Sequence, residues 1–258
     1  AVFEMNQEGH IISRWFGKTV IHSDKRFNYE EAYEVLQSGD TSVFPALFEL
    51  AKFGRIFAKK RKADGAIDFE SDEIKFTLDE KGVPLAVYKK QRVETHHLVE
   101  EFMLLANKEV AEYVFKHFLD GGKKLPGVYR VHDLPDPERI SELEILVNAL
   151  GLHFHPGKKI HAKDIQKLLE QASGHPAEAT IKTSTLRSMA KAAYDTVNTG
   201  HFGLAFEYYT HFTSPIRRYP DLSVHRILQK VLTHEHPSQN FLASLKPICE
   251  NSSAQEIK

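Results

Sequence analysis

The stretch HFTSPIRRYPDLSVHR, residues 211–226, sets two adjacent arginines at a bend directly before a helix. Pro215 fixes one turn, and Pro220 suits the first turn of a helix, where its missing N–H would go unpaired anyway. Asp221 then complements the positive end of the helix. Arg217 and Arg218 therefore sit on a stiff connector. Upstream, Phe202, Leu204, Phe206 and Tyr208 alternate as a strand does, so a late strand is expected to feed this bend. A guanidinium whose direction is fixed in advance stabilises charge developing on an anion. The same spacing also suits arginines that pair with carboxylates at the core edge or lie in water. Both readings remain open on spacing alone.

Working outward, residues 1–23 read as strands, with Asn6-Gln7-Glu8-Gly9 as a hairpin signal between Val2–Met5 and Ile11–Ile12. Asn28 followed by Glu31 resembles a capping box, with Tyr29, Ala32, Tyr33 and Leu36 at helical spacing and Gly39 as the stop. A second helix is expected after Thr41-Ser42, with Phe44, Leu47, Phe48 and Ala51 as its buried stripe. Its end, Lys59 to Lys62, reads as a solvated cationic terminus. Ile74, Phe76 and Leu78 alternate as a half-buried strand, and Asp79 to Gly82 turn the chain into a second one at Val83 to Tyr88. A long helix is expected from His96 to Phe118, burying Val99, Phe102, Met103, Ala106, Val110 and Val114. A strand at Val128 to Val131 and helices near 137–150, 162–173 and 177–192 complete an α+β chain, with mixed or antiparallel strands packed against several helices.

The 258 residues are 41% hydrophobic and 27% charged, a globular balance with net charge −1. No global field points to nucleic acid or membrane, so any anion site must be local. The single cysteine, Cys249, excludes an intrachain disulfide and a CxxC zinc site. No apolar run has the length of a spanning helix and no signal-peptide pattern opens the chain, so a cytoplasmic location is expected. AVFEM reads as the inside of a strand and SSAQEIK as a continuing helix, which leads to the expectation that the chain is a piece of something longer.

The segment HFGL (201–204) followed by YTHFTSPIRRYPDLSVHR resembles the hallmark of the RNB-domain exoribonucleases, the ribonuclease R and ribonuclease II family. RWFGKTVIHSDKRFNYEEA (14–32), GAIDFESDEIKF (65–76), HHLVEEFMLLAN (96–107), VYRVHD (128–133) and TLRSMAKAAY (185–194) agree in the same order. The likeness spans essentially the whole chain and is nearer the ribonuclease R branch. It implies an enzyme that hydrolyses single-stranded RNA from the 3′ end, one nucleotide at a time, with magnesium held by aspartates.

Carried over position by position, the resemblance implies that Arg217 assists phosphate cleavage and that Arg218 beside it contacts RNA. It implies that Glu100 and Tyr29 meet the terminal nucleotide and its ribose, and that Phe69 clamps the last base. Each has physical sense. A carboxylate such as Glu100 accepts from a ribose 2′-OH, and an aromatic such as Phe69 stacks on a base for ~1–3 kcal/mol. Each also has a plain rival: a helix-edge salt bridge for Glu100, and core packing for Tyr29 and Phe69. His211, His225 and the pair His96-His97 lack zinc spacing. His22-Ser23-Asp24 lacks the nucleophile elbow of a hydrolase.

One departure matters. The family's magnesium-binding aspartates lie upstream of the strand where this chain begins, and Asp24, Asp68, Asp72 and Asp133 are too scattered to replace them. The chain is therefore expected to be a partial RNB catalytic domain over 1–258, without flanking OB-type modules, monomeric and inactive alone. A different class of function stays open: a catalytically silent RNB-like module for RNA binding or assembly. Phosphate-bearing small molecules rank below both, because the glycines are dispersed rather than gathered in a phosphate loop.

Overall fold

The computed structural model describes residues 1–67, 74–89, 92–157 and 159–256. Phe69, Asp68 and Asp72 lie outside the described residues. Strands β1 (Val2–Met5) and β2 (Ile11–Trp15) form an antiparallel hairpin. Strand structure stops at Trp15, short of the expected residue 23. Phe16 turns into the core against Phe3 and Tyr113, while Val20 and Ile21 stand exposed with no strand beside them among the described residues.

Helix α1 (Tyr29–Ser38) carries the expected capping box: Glu31 N–H donates to Asn28 Oδ1 at 2.7 Å and Asn28 N–H to Glu31 Oε2 at 3.1 Å. Helix α2 (Pro45–Asp64) ends at Gly65, whose φ of 101° is open to glycine and strained for other residues. Of the expected stripe Ala51 is buried, together with Gly54 and Phe57, while Phe44, Leu47 and Phe48 are only half-buried. The helix buries its middle, where it crosses α3. There a Cβ on Gly54 would lie 3.4 Å from Leu98 Cα.

Strands β3 (Ile74–Leu78) and β4 (Pro84–Lys89) pair with each other. Ile74, Phe76 and Leu78 are 57%, 55% and 54% exposed, not half-buried as expected. The strand pattern was right but its burial was not, because among the described residues the ribbon pairs only with itself.

Helix α3 (Glu94–His117) is the spine of the molecule, packed against α1, α2 and α7. Val110 and Val114 are buried as expected, joined by Leu104 and Ala111, while Val99 is exposed. A short ribbon, β5 (Leu119–Asp120) and β6 (Lys123–Lys124), precedes β7 (Tyr129–Val131), which pairs antiparallel with β8 (Ala193–Asp195). Between them α4 (Pro137–Ala149), α5 (Ala162–Ala172) and α6 (Glu178–Ser188) enclose their own core of Leu143, Val147, Ile165, Leu168 and Ile181. Helices α7 (Tyr219–Thr233) and α8 (Gln239–Gln255) close the other core, where Val110, Val114, Tyr194, Val224, Ile227 and Leu245 meet.

The expected late strand over 202–208 is absent. Phe202–Leu204 form a 3₁₀ turn, followed by Ala205 at φ 55°. The His201 ring accepts Leu204 N–H at 3.2 Å, and Gly203 N–H donates to His132 Nδ1 at 3.0 Å. Side-chain acceptors therefore curl the backbone that apolar alternation alone would extend. Among the described residues no helix is long and apolar enough to cross a membrane.

Candidate functional site

The bend before α7 is built around one carboxylate. Asp221 is fully buried; its Oδ1 accepts Ser214 N–H at 2.8 Å and Arg218 Nη2 at 2.9 Å, and its Oδ2 lies 2.9 Å from Arg218 Nε. A buried carboxylate needs such donors, because the ionised form loses its water. Backbone N–H groups of Arg217 and Arg218 both donate to Ser214 O, at 3.3 and 3.1 Å, and so close the turn. Asn107 of α3 holds the approach, accepting Phe212 and Thr213 N–H at 2.9 and 3.2 Å. His225 braces the far side, its ring stacked on Phe212 at 4.2 Å.

Beside the two prolines, a buried aspartate thus braces the bend. The two arginines also separate in role. Arg218 is committed to Asp221. Arg217 is exposed and, among the described residues, makes no side-chain hydrogen bond or ion pair.

A groove of about 290 Å³ lies between α1, α3 and the residues leading into the bend. It brings together Tyr29, Glu100 and Arg218, with Asn107, Tyr209 and His211 on its walls. Tyr29 is 42% exposed, and its ring stacks on His96 at 4.0 Å. Its carbonyl accepts Thr95 Oγ1 at 2.7 Å, which fixes the start of α1 to the start of α3. Glu100 accepts a hydrogen bond from Arg92 Nη2, so the salt bridge named as its plain rival is present at the groove edge. Arg217 is not among the groove-lining residues, but its charge reaches His211, which is.

Next to Glu100, the buried Glu101 takes Arg61 through Nε at 3.0 Å and Nη2 at 2.7 Å. Arg61 is therefore removed from the run expected to be solvated; Lys59, Lys60 and Lys62 stay exposed. Phe69 lies outside the described residues, and its clamp role rests on the resemblance alone.

The walls are electrostatically set. Burial, reinforced by the positive charges of Arg218 and Arg130, holds His211 down to about 3. Burial pushes the Tyr194 phenol, 2.7 Å from His211 Nδ1, up to about 12. Tyr209 is raised by burial too, although a hydrogen bond from Asn107 opposes it. Of these residues, sequence reading took up His211 only as a metal ligand and set it aside. Tyr209 and His211 both line the groove, with their rings edge-on at 5.7 Å.

A larger cleft of about 1510 Å³ opens between the loop after β7, the start of α5 and residues 198–208. His132 and His201 are among its lining residues. It holds none of Tyr29, Glu100, Arg217 or Arg218. Size alone favours this cleft, but Tyr29, Glu100 and Arg218 come together in the smaller groove, which is therefore the candidate site.

Residues 1–234 match the family model of the RNB domain. Ribonuclease R of Thermotoga maritima is 40% identical over 235 residues, covering 89% of this chain and 32% of that protein. The chain spans about a third of the length of the curated relatives it matches. Among solved structures, RNase R of Mycoplasma genitalium in complex with ribose-methylated single-stranded RNA superposes with a TM-score of 0.88 at 25% identity, over 99% of this chain and 40% of that one. Yeast Ssd1, a pseudonuclease, shares the fold at a TM-score of 0.72 and 20% identity, over 97% of this chain and 30% of its own.

Proposed function

The chain belongs to the RNB-domain family, and on that premise we propose that it supplies part of the RNA channel of a hydrolytic 3′-to-5′ exoribonuclease. Residues 1–258 are read as a partial RNB catalytic domain, with OB-type RNA-binding modules elsewhere in a longer, monomeric, cytoplasmic protein. The substrate is single-stranded RNA, shortened processively to nucleoside monophosphates.

One observation carries this reading: Tyr29, Glu100 and Arg218, from three separate elements, line a single groove. The 3′-terminal nucleotide enters it with its base or ribose against Tyr29. Its 2′-OH donates to Glu100, which already holds a hydrogen-bonding carboxylate at the edge. Arg218, fixed by Asp221, shapes the wall, and the exposed Arg217 turns its uncompensated charge to the scissile phosphate. Phe69 completes the clamp on the last base.

On this reading the chemistry draws on a divalent cation, magnesium. Among the described residues no group of three or more His, Cys, Asp or Glu side chains is placed to hold a metal ion. Asp133 is engaged with Thr199 Oγ1 at 2.7 Å, and Asp24 lies exposed beside His22. These residues do not fit the ion. On this reading its aspartate ligands belong to polypeptide outside the chain, and the chain alone is inactive.

The test is an exonuclease assay on fluorescently tailed single-stranded RNA. The longer protein should shorten it from the 3′ end with magnesium, and Arg217→Ala should slow it about a hundredfold or more. Glu100→Ala and Tyr29→Ala should narrow the preference for RNA over DNA; an unchanged ratio makes both merely structural. Activity from the 258-residue chain itself, lost in Arg217→Ala, overturns the incomplete-site reading. A longer protein that binds RNA but never cleaves it is the silent module instead.

A further inference from the structure

His211 has one committed nitrogen and one free one. Its Nδ1 lies 2.7 Å from the Tyr194 hydroxyl, and its ring stands edge-on to Tyr194 and Tyr209 at 5.6 and 5.7 Å. Its Nε2 has no hydrogen-bond partner among the described residues, and it is not one of the buried atoms left unpaired. The ring lines the groove beside Arg218.

The tautomer follows from Tyr194. That residue is 5% exposed, and among the described residues its hydroxyl has no hydrogen-bond partner but His211 Nδ1. If Nδ1 carried the proton, the phenol O–H would be left buried without an acceptor, which is the costly arrangement. The O–H therefore donates to Nδ1, and the imidazole proton sits on Nε2. Burial and the neighbouring guanidiniums keep the ring uncharged, so it presents a neutral N–H. Arg217, exposed and unpaired among the described residues, adds positive potential at the same place, and such a place draws an anionic oxygen.

We propose that His211, oriented by Tyr194, donates its Nε2–H to a non-bridging phosphate oxygen of the terminal nucleotide in this groove. The assignment rests on the RNA-channel reading above. It adds a substrate-contacting donor from a residue that spacing alone led us to consider only as a metal ligand.

The experiment measures binding of a fluorescein-labelled single-stranded oligoriboadenylate to the 258-residue chain, with ¹⁵N spectra of the histidine rings. His211→Ala should weaken binding about tenfold, the loss typical of a hydrogen bond to a charged group. His211→Gln, whose amide nitrogen reaches the Nε2 position, should recover most of it. Tyr194→Phe should leave a mixture of ring tautomers and intermediate affinity. The wild-type spectrum should show His211 protonated on Nε2, with that signal moving when RNA is added. A proton on Nδ1, or equal affinity for wild type and His211→Ala, overturns the proposal while leaving the channel intact. Equal losses in the Ala and Gln variants, with no RNA-induced shift, reduce His211 to packing and overturn it as well. Failure of the wild-type chain to bind the oligonucleotide overturns this proposal and the channel reading together.

Discussion

At the scale of single residues, Asp221 and Arg217 are opposites. Asp221 is fully buried and ties Ser214 N–H and the Arg218 guanidinium into one turn. Asp221→Asn removes the charge that Arg218 needs and one of the acceptor oxygens, so it should cost about 3 kcal/mol by chemical denaturation. Arg217→Ala, on an exposed side chain without a partner among the described residues, should stay within about 0.5 kcal/mol of wild type. Equal stability losses in the two would contradict this division. The buried histidines set the acid limit. His201 and His211 are held down to about 3, from an ordinary 6.5, by burial first and then by neighbouring positive charge. Below about pH 6.5 the unfolded chain takes up protons that the folded chain refuses, so their contribution is whole above that pH and shrinks as pH falls toward 3. Glu109, raised by burial, works in the opposite sense. Thermal midpoints should therefore drop on acidification, and His201→Asn, which keeps an acceptor for Leu204 N–H, should flatten the drop. A variant with the wild-type pH profile would remove His201 from this account.

Among elements, α3 does most of the positioning. It carries Glu100 to the groove, Asn107 to the bend and Glu101 to Arg61 of α2. Gly54 lets α2 approach it, since a Cβ there would only touch Leu98 Cα at 3.4 Å. Gly54→Ala should change stability by less than about 1 kcal/mol, because helix propensity gained offsets the contact. Gly54→Leu should cost about 1–3 kcal/mol by forcing the helices apart; a tolerated leucine would mean that the two helices are not in close register. Caps made the elements legible: Asn28 with Glu31 and Gly39 at the helix end stand where sequence put them. Burial was less legible, because it depends on what lies opposite. The alternation in β3 gave the strand but not its exposure. Alternation across 202–208 gave a strand where His132 and His201 accept backbone N–H groups and bend the chain, an interaction between residues far apart in sequence.

On the scale of the whole molecule, family membership and α+β architecture were readable from ordered motifs, whereas the groove was not. It exists only because α1, α3 and the approach to α7 pack together, and the division of Arg217 from Arg218 depends on the depth of Asp221. The central claim is that this groove, and not the larger cleft near His161 and Phe206, seats the end of an RNA strand. The direct measurement is photocrosslinking of the chain to single-stranded RNA carrying 4-thiouridine either at its 3′ end or at an internal position, with the attached peptides mapped by mass spectrometry. The account predicts crosslinks at Tyr29, His96 or Tyr209 when the reactive base is terminal, and their loss when it is internal. Crosslinks confined to residues 159–163 and 198–208, or the same peptides for both placements, would contradict it.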